Sequence, residues 1–210
     1  MKALYGVYGA SGCGRGIMPL LRQQLATTGV ELVFIDDDPV AEVANGHPIW
    51  TFDRFANEPA SQRLAALAIA NARVREVLDR RCTTAGIDVI GVYANNIVTM
   101  DDVEIGPGAL LSPFVTLTSN IRIGRCFHGN LYSYVEHDCV IGDYVTFAPG
   151  VRCNGNVTIG SHAYIGSGAV IRQGISIGAG AIVGMGAVVT KDVPPGVTVV
   201  GNPARIMEKR

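Results

Sequence analysis

A histidine set between two carboxylates, in Val135-Glu136-His137-Asp138-Cys139-Val140-Ile141-Gly142, is the stretch of this sequence best suited to moving a proton. An imidazole titrates near neutrality, so neutral His137 can accept a proton from an attacking amine or hydroxyl. A neighbouring carboxylate can fix the tautomer and stabilise the imidazolium that forms, and Glu136 and Asp138 are both candidates. Successive residues of an extended strand point to opposite faces, so either contact requires a bend in the chain. The plainer alternative is an exposed histidine on an outward position.

Nearer the start, Gly9-Ala10-Ser11-Gly12-Cys13-Gly14-Arg15-Gly16 joins an apolar run, Ala3 to Tyr8, to a helical pattern from Ile17 to Thr28. Strand, glycine turn and helix together can cradle a phosphate on backbone N–H groups. The spacing is G-x-x-G-x-G, not the dinucleotide pattern G-x-G-x-x-G, so a tight turn, an NAD-type site and another phosphate-bearing ligand all stay open. A second strand, Glu31 to Ile35, runs into Asp36-Asp37-Asp38-Pro39. A third strand around Leu64 to Ala70 and a helix from about Val74 to Thr84, stopping at Gly86, complete a small βαβ domain over residues 1–87.

The elements that must position His137 are written in a different grammar. Every sixth residue from Ile105 to Val189 is Ile, Leu or Val except Gly129, Phe147 and Cys153. A period of six keeps phase with a strand but not with a helix. The position four after each anchor is also small or apolar, as at Ala109, Val115, Ile121, Val145, Val151, Val157, Ala163, Ala169, Ala181 and Ala187. Three hexads per turn predict about five stacked coils of short strands, roughly 4.8 Å apart, over residues 88–210.

Composition bounds the rest. The chain has 210 residues, 17 Lys and Arg against 18 Asp and Glu, and nothing in it suggests a nucleic-acid surface. The basic stretch from Arg73 to Arg81 reads as a solvated helix face. No stretch of about 18 apolar residues occurs, which predicts a soluble cytoplasmic protein without a membrane partner. Five cysteines without a C-x-x-C pair argue against disulfides or a zinc knuckle, and Cys139 and Cys153 fall on inward positions. His47, His128, His137 and His162 lack ligand spacing, so no metal is expected, and His128 and His162 read as surface residues.

Ile165-Gly166-Ser167-Gly168-Ala169-Val170 and Ile177-Gly178-Ala179-Gly180-Ala181-Ile182 resemble the repeat of the hexapeptide acyltransferases, which implies a left-handed parallel β-helix. Together with the glycine turn, the paired aspartates and the His137 stretch, nearly the whole chain resembles bacterial nucleotide-sugar N-acetyltransferases, a family that includes sialic acid O-acetyltransferases. The implied fold is an α/β N-terminal βαβ (Rossmann-like) domain followed by that β-helix. The implied activity is transfer of acetyl from acetyl-CoA to the amino group of a nucleotide-linked amino sugar in polysaccharide biosynthesis, by a homotrimer. O-acyl transfer to a sugar hydroxyl and a non-catalytic scaffold are the alternatives.

The resemblance also implies roles for residues. His137 is the base and Asp138 its partner, while the Gly155 N–H faces the thioester carbonyl. Ser167 and Met185 line the pantetheine groove, and Arg205 or Lys191 meets coenzyme A phosphates in the closing loop. Ser11, Gly12, Cys13, Asp36 and Asp37 hold the nucleotide sugar, and Asn130 lies near its reacting group. Cys13 stands where relatives often carry histidine, and Thr146 where some of them do, a departure on the sugar side of the site.

Overall fold

The computed structural model of the chain describes residues 2–25 and 29–207. They form two compact units, Met1–Tyr93 and Ala94–Arg210.

The first unit runs β1 (Ala3–Tyr8), α1 (Gly12–Leu25), β2 (Val30–Ile35), β3 (Val43–Ala44), β4 (His47–Trp50), α2 (Phe52–Asn57), β5 (Arg63–Leu67), α3 (Ala72–Thr84) and β6 (Asp88–Val89). One sheet takes them in the order β3-β4-β2-β1-β5-β6, parallel except between β3 and β4. Its central strands are apolar because they are covered on both faces: Val7, Val33, Phe34, Ile35, Ala65, Ala66 and Leu67 are fully buried. The chain leaves β1 toward β2 and later returns on its other side as β5, so loops after β1 and β5 diverge and open a crevice at the strands' carboxyl ends.

Several expectations shift here. The first helix begins at Gly12, not at Ile17, and its expected final positions, 26–28, lie outside the described residues. The unit extends past residue 87 because β6 pairs with β5, while Gln24 donates to the Gly91 carbonyl and accepts from Tyr93 N–H. Arg75 is not on a solvated face: it is fully buried and donates to the Ile69 carbonyl at 2.6 Å and to that of Ala70 at 3.2 Å.

The second unit is a parallel β-helix. Each short strand pairs with the strand eighteen residues on, as in Ile105↔Ile123↔Ile141↔Ile159↔Ile177 and Leu117↔Val135↔Cys153↔Ile171↔Val189. The third sheet stacks Leu111, Gly129, Phe147, Ile165 and Val183 in the same way. From Leu111 onward both expected inward positions of the hexads are buried, with Val145, Val151, Ala163, Ala181, Cys139 and Cys153 fully so, while the first anchor, Ile105, is half-buried. Gly129 leaves no gap: the ring of the buried Phe127 comes to 3.0 Å of where its Cβ would lie and meets Phe147 edge-on at 5.2 Å.

Between sheets the chain turns at residues with positive φ, and these stack into three columns: Asp102, Asn120, Asp138, Asn156 and Gly174; Phe114, Tyr132, Gly150, Gly168 and Gly186; Gly108, Cys126, Tyr144, His162 and Gly180. Asn, Asp and Gly tolerate this conformation at least cost, which explains the first column's composition. At the far end, strand Thr198–Val200 pairs with Ile182–Val183 and is covered by the antiparallel strand Arg205–Ile206, which closes the exposed edge.

Candidate active site

His137 and Asp138 sit on the corner between strands Tyr134–Val135 and Val140–Ile141. Asp138 turns there at φ 59°, and this bend brings two successive side chains together: His137 Nδ1 lies 2.7 Å from Asp138 Oδ2. Asp138, not Glu136, is therefore the contacting carboxylate. Its other oxygen, Oδ1, accepts from Asn120 Nδ2 at 3.0 Å, one coil earlier in the same column. The hydrogen bond to Asp138 raises the His137 pKa above the ordinary histidine value, and donation from Asn120 and then His137 holds Asp138 below the usual carboxylate range. An ionised Asp138 only accepts, so Nδ1 carries the proton and Nε2 presents its lone pair.

Gly155 lies one coil beyond His137, and the imidazole rests on it. A Cβ there would fall 2.6 Å from Nε2 and 2.5 Å from Cε1, so any side chain would push the ring away. Gly155 has no positive φ; a glycine is needed at this position to accommodate the histidine and not to make a turn. Among the described residues none accepts from its N–H, while its carbonyl takes the Gly174 N–H at 3.0 Å. A hydrogen-bond donor beside a neutral imidazole is the arrangement that acyl transfer needs: one group for the proton and one for the oxyanion.

The other expected residues on the coil lie elsewhere. Asn130, Ser167 and Met185 are at the adjacent corner, beyond the strand Tyr134–Val135 or its stacked equivalents, and the Asn130 side chain accepts from its neighbour Leu131 N–H at 2.8 Å. Ser167 and Met185 are exposed on successive coils. Arg205 and Lys191 both line a cavity of about 260 Å³ at the closing loop. His128, expected at the surface, is buried on a strand beside Thr146, and His162 stacks on Tyr144 at a turn.

In the first unit, Ala10, Ser11, Arg15, Asp36, Asp38 and Ile49 are among the residues lining a cavity of about 520 Å³ at the carboxyl ends of β1 and β2. Asp36 is fixed there by the Ala10 and Asp38 N–H groups, each at 3.2 Å. Gly12 and Cys13 open α1, where Gly12 has free space around it and Cys13 is half-buried, its thiol pushed up by that burial against the pull of Arg75. Asp37 belongs to a different arrangement. Oδ1 accepts from Phe52 N–H at 2.9 Å, and Oδ2 from Tyr8 Oη at 2.7 Å and from Arg81. Its carboxylate ties β1, the end of β2, α2 and α3 to one another.

Residues 156–191 match the model of the hexapeptide repeat of succinyl-transferase. Over 214 aligned residues, covering 98% of this chain and 97% of the relative, the sequence is 49% identical to GDP-perosamine N-acetyltransferase of Escherichia coli O157:H7. The chain belongs to the nucleotide-sugar N-acetyltransferases. The solved structure of WeeI from Acinetobacter baumannii AYE has 55% identity and a TM-score of 0.95, covering 98% of this chain and all of that one. The acetyltransferase domain of PglB from Neisseria gonorrhoeae FA1090, in complex with acetyl coenzyme A, has 28% identity and a TM-score of 0.89 over 99% of this chain and all of that one.

For this acetyltransferase, reading the sequence alone missed Asn120 and the hairpin with α2 that borders the first unit's cavity. The hairpin had a signal: Asn45-Gly46, both at positive φ, is the favoured two-residue hairpin turn. Thr51, whose Oγ1 accepts from Arg54 N–H at 3.3 Å, is the cap that announces α2. Asn120 was legible only by counting eighteen back from Asp138.

Proposed function

We propose that the chain transfers the acetyl group of acetyl-CoA to the amino group of a GDP-linked amino sugar related to perosamine, with His137 as general base. The observation that carries this reading is the His137 Nδ1 to Asp138 pairing, which leaves Nε2 free above Gly155. The neutral amine attacks the thioester carbonyl while Nε2 accepts its proton; the Gly155 N–H donates to the oxyanion. Collapse breaks the C–S bond, and the imidazolium returns the proton to the departing thiolate, giving the acetamido sugar and free coenzyme A. A main-chain donor suits that position because it is preorganised and does not titrate.

The first unit supports a Rossmann-like acceptor domain. The cavity at the carboxyl ends of β1 and β2 holds Ser11 and the anchored Asp36, with Gly12 and Cys13 following at the α1 N-terminus, a setting for diphosphate and hydroxyl groups. Asp37, expected to touch the sugar, is assigned here to support that loop. On the coil, His137 and Gly155 occupy one corner, whereas Asn130, Ser167 and Met185 occupy the next. They would meet across a homotrimer, with the corner of one copy facing the other corner of its neighbour, and coenzyme A lying between with its phosphates toward Lys191 and Arg205. A left-handed coil is the hand this family reading carries. Cys13, Cys82, Cys126, Cys139 and Cys153 form no disulfide among the described residues, as suits the reducing cytoplasm.

Incubation with acetyl-CoA and GDP-perosamine, read by mass spectrometry, should show one added acetyl group. His137→Ala should lower kcat on the order of 10²-fold to 10⁴-fold with acetyl-CoA affinity nearly unchanged. Retention of full activity would remove His137 as the base. Sedimentation should give a trimer of about 66 kDa, three times the 22.1 kDa chain.

A further inference from the structure

We propose that Asn120 is a positioning residue for acetyl transfer, locking the Asp138 carboxylate in the plane from which it orients the His137 imidazole. The inference rests on the reading of His137 as the base. Asp138 receives one donor on each oxygen, Asn120 Nδ2 on Oδ1 at 3.0 Å and His137 Nδ1 on Oδ2 at 2.7 Å, so rotation of the carboxylate breaks one bond or the other. Asn120 is itself held: its N–H donates to the Asp101 carbonyl at 3.1 Å, and its φ of 59° repeats that of Asp138. One coil earlier again, Asp102 faces Arg122, with Nη2 at 3.0 Å and 3.1 Å from its two oxygens, and so makes no demand on the Asn120 amide.

The position requires an amide for an electrostatic reason. Asp102, Asn120 and Asp138 stack in one column, with coils roughly 4.8 Å apart. A carboxylate at 120 would complete a ladder of three like charges, whereas asparagine tolerates the same left-handed backbone and supplies a donor. The charged and titratable groups facing His137 are Asp138, Glu136 and Cys139; His137 and Asn120 are the side chains that donate to Asp138.

Asn120→Gly removes the amide without backbone strain, and Asn120→Asp keeps the shape while replacing a donor by a charge. With Asn120→Gly, kcat should fall about tenfold, the loss of one charge-assisted hydrogen bond, while KM for both substrates stays within about twofold. With Asn120→Asp, the added negative charge stabilises the imidazolium, so the acidic limb of the kcat–pH profile should move to higher pH. In an Asp138→Asn background, Asn120→Gly should have no further effect. A turn-forming role alone predicts the reverse: both variants, at native melting temperature, would keep the plateau kcat within twofold, whatever the added charge does to the limb, and this would overturn the proposal. Asn120→Asp keeps the test available if Asn120→Gly folds poorly. An active His137→Ala enzyme would instead defeat the base assignment, whereas an inactive one beside unaffected Asn120 variants would defeat only this inference.

Discussion

The two units bring side chains together by different means. On the coil the functional contacts between successive coils are eighteen residues apart: Asn120 meets Asp138, and His137, paired with its neighbour Asp138 within one corner, meets Gly155. In the first unit the Asp37 carboxylate gathers Tyr8, Phe52 and Arg81, separated from it by 29, 15 and 44 residues with no common period. A stacked coil turns sequence spacing directly into position, so the groups that must hold angstrom tolerances for chemistry sit where no loop intervenes. The loops after β1 and β2 belong to no repeat, so their lengths can change without shifting any register.

The sharpest way to break this contrast is to disturb the count. One glycine inserted after Gly174 shifts Ile177, Ala181 and Val183 from the core toward the surface, because the side-chain period is two. We expect loss of soluble protein on size exclusion. Next in size is Gly155→Ala, which leaves the count intact but displaces the His137 ring; kcat should drop about 10²-fold with little change in melting temperature.

Smaller effects are expected in the first unit. Asp37→Asn should cost about 1 kcal/mol at pH 7, measured by urea unfolding, since the carboxylate is partly exposed. Burial pushes its pKa up, but the Phe52 N–H, Tyr8 and Arg81 outweigh that and hold it down. Its stabilisation is therefore present above the unfolded value of about 3.9 and is lost as pH falls through the lower folded value, so wild type and variant should converge in acid. The smallest effect should come from one glycine inserted after Val40, which is fully exposed in an irregular segment. We expect about 0.5 kcal/mol or less, from loop entropy alone. Equal damage from the Val40 and Gly174 insertions would dissolve the distinction between the units.

The same contrast explains what could be read before any coordinates. The hexad register placed the inward residues of the coil without help, because a period of six admits a single strand phase. It did not predict that Phe127 would fill the space left by Gly129, since volume compensation between neighbouring positions has no periodic trace. In the first unit, α1 began earlier than expected because glycine is a poor helix former in isolation. Packing overrides that weakness: Gly14 lets the helix pass against the Gly9 carbonyl, where a Cβ would collide with it.

What the sequence by itself determined was the chemistry available and the repeat that carries it: a histidine flanked by carboxylates, on a coil whose core positions recur every six residues. Tertiary structure decided which carboxylate pairs with His137, that Asn120 donates to the other oxygen of that carboxylate, and that Asp37 pairs with Tyr8, Phe52 and Arg81 while Asp36 faces the cavity. The reason is that strand alternation alone would send residues 137 and 138 to opposite faces. Only the left-handed turn at Asp138, a property of the corner and of the coils stacked on either side of it, brings them together.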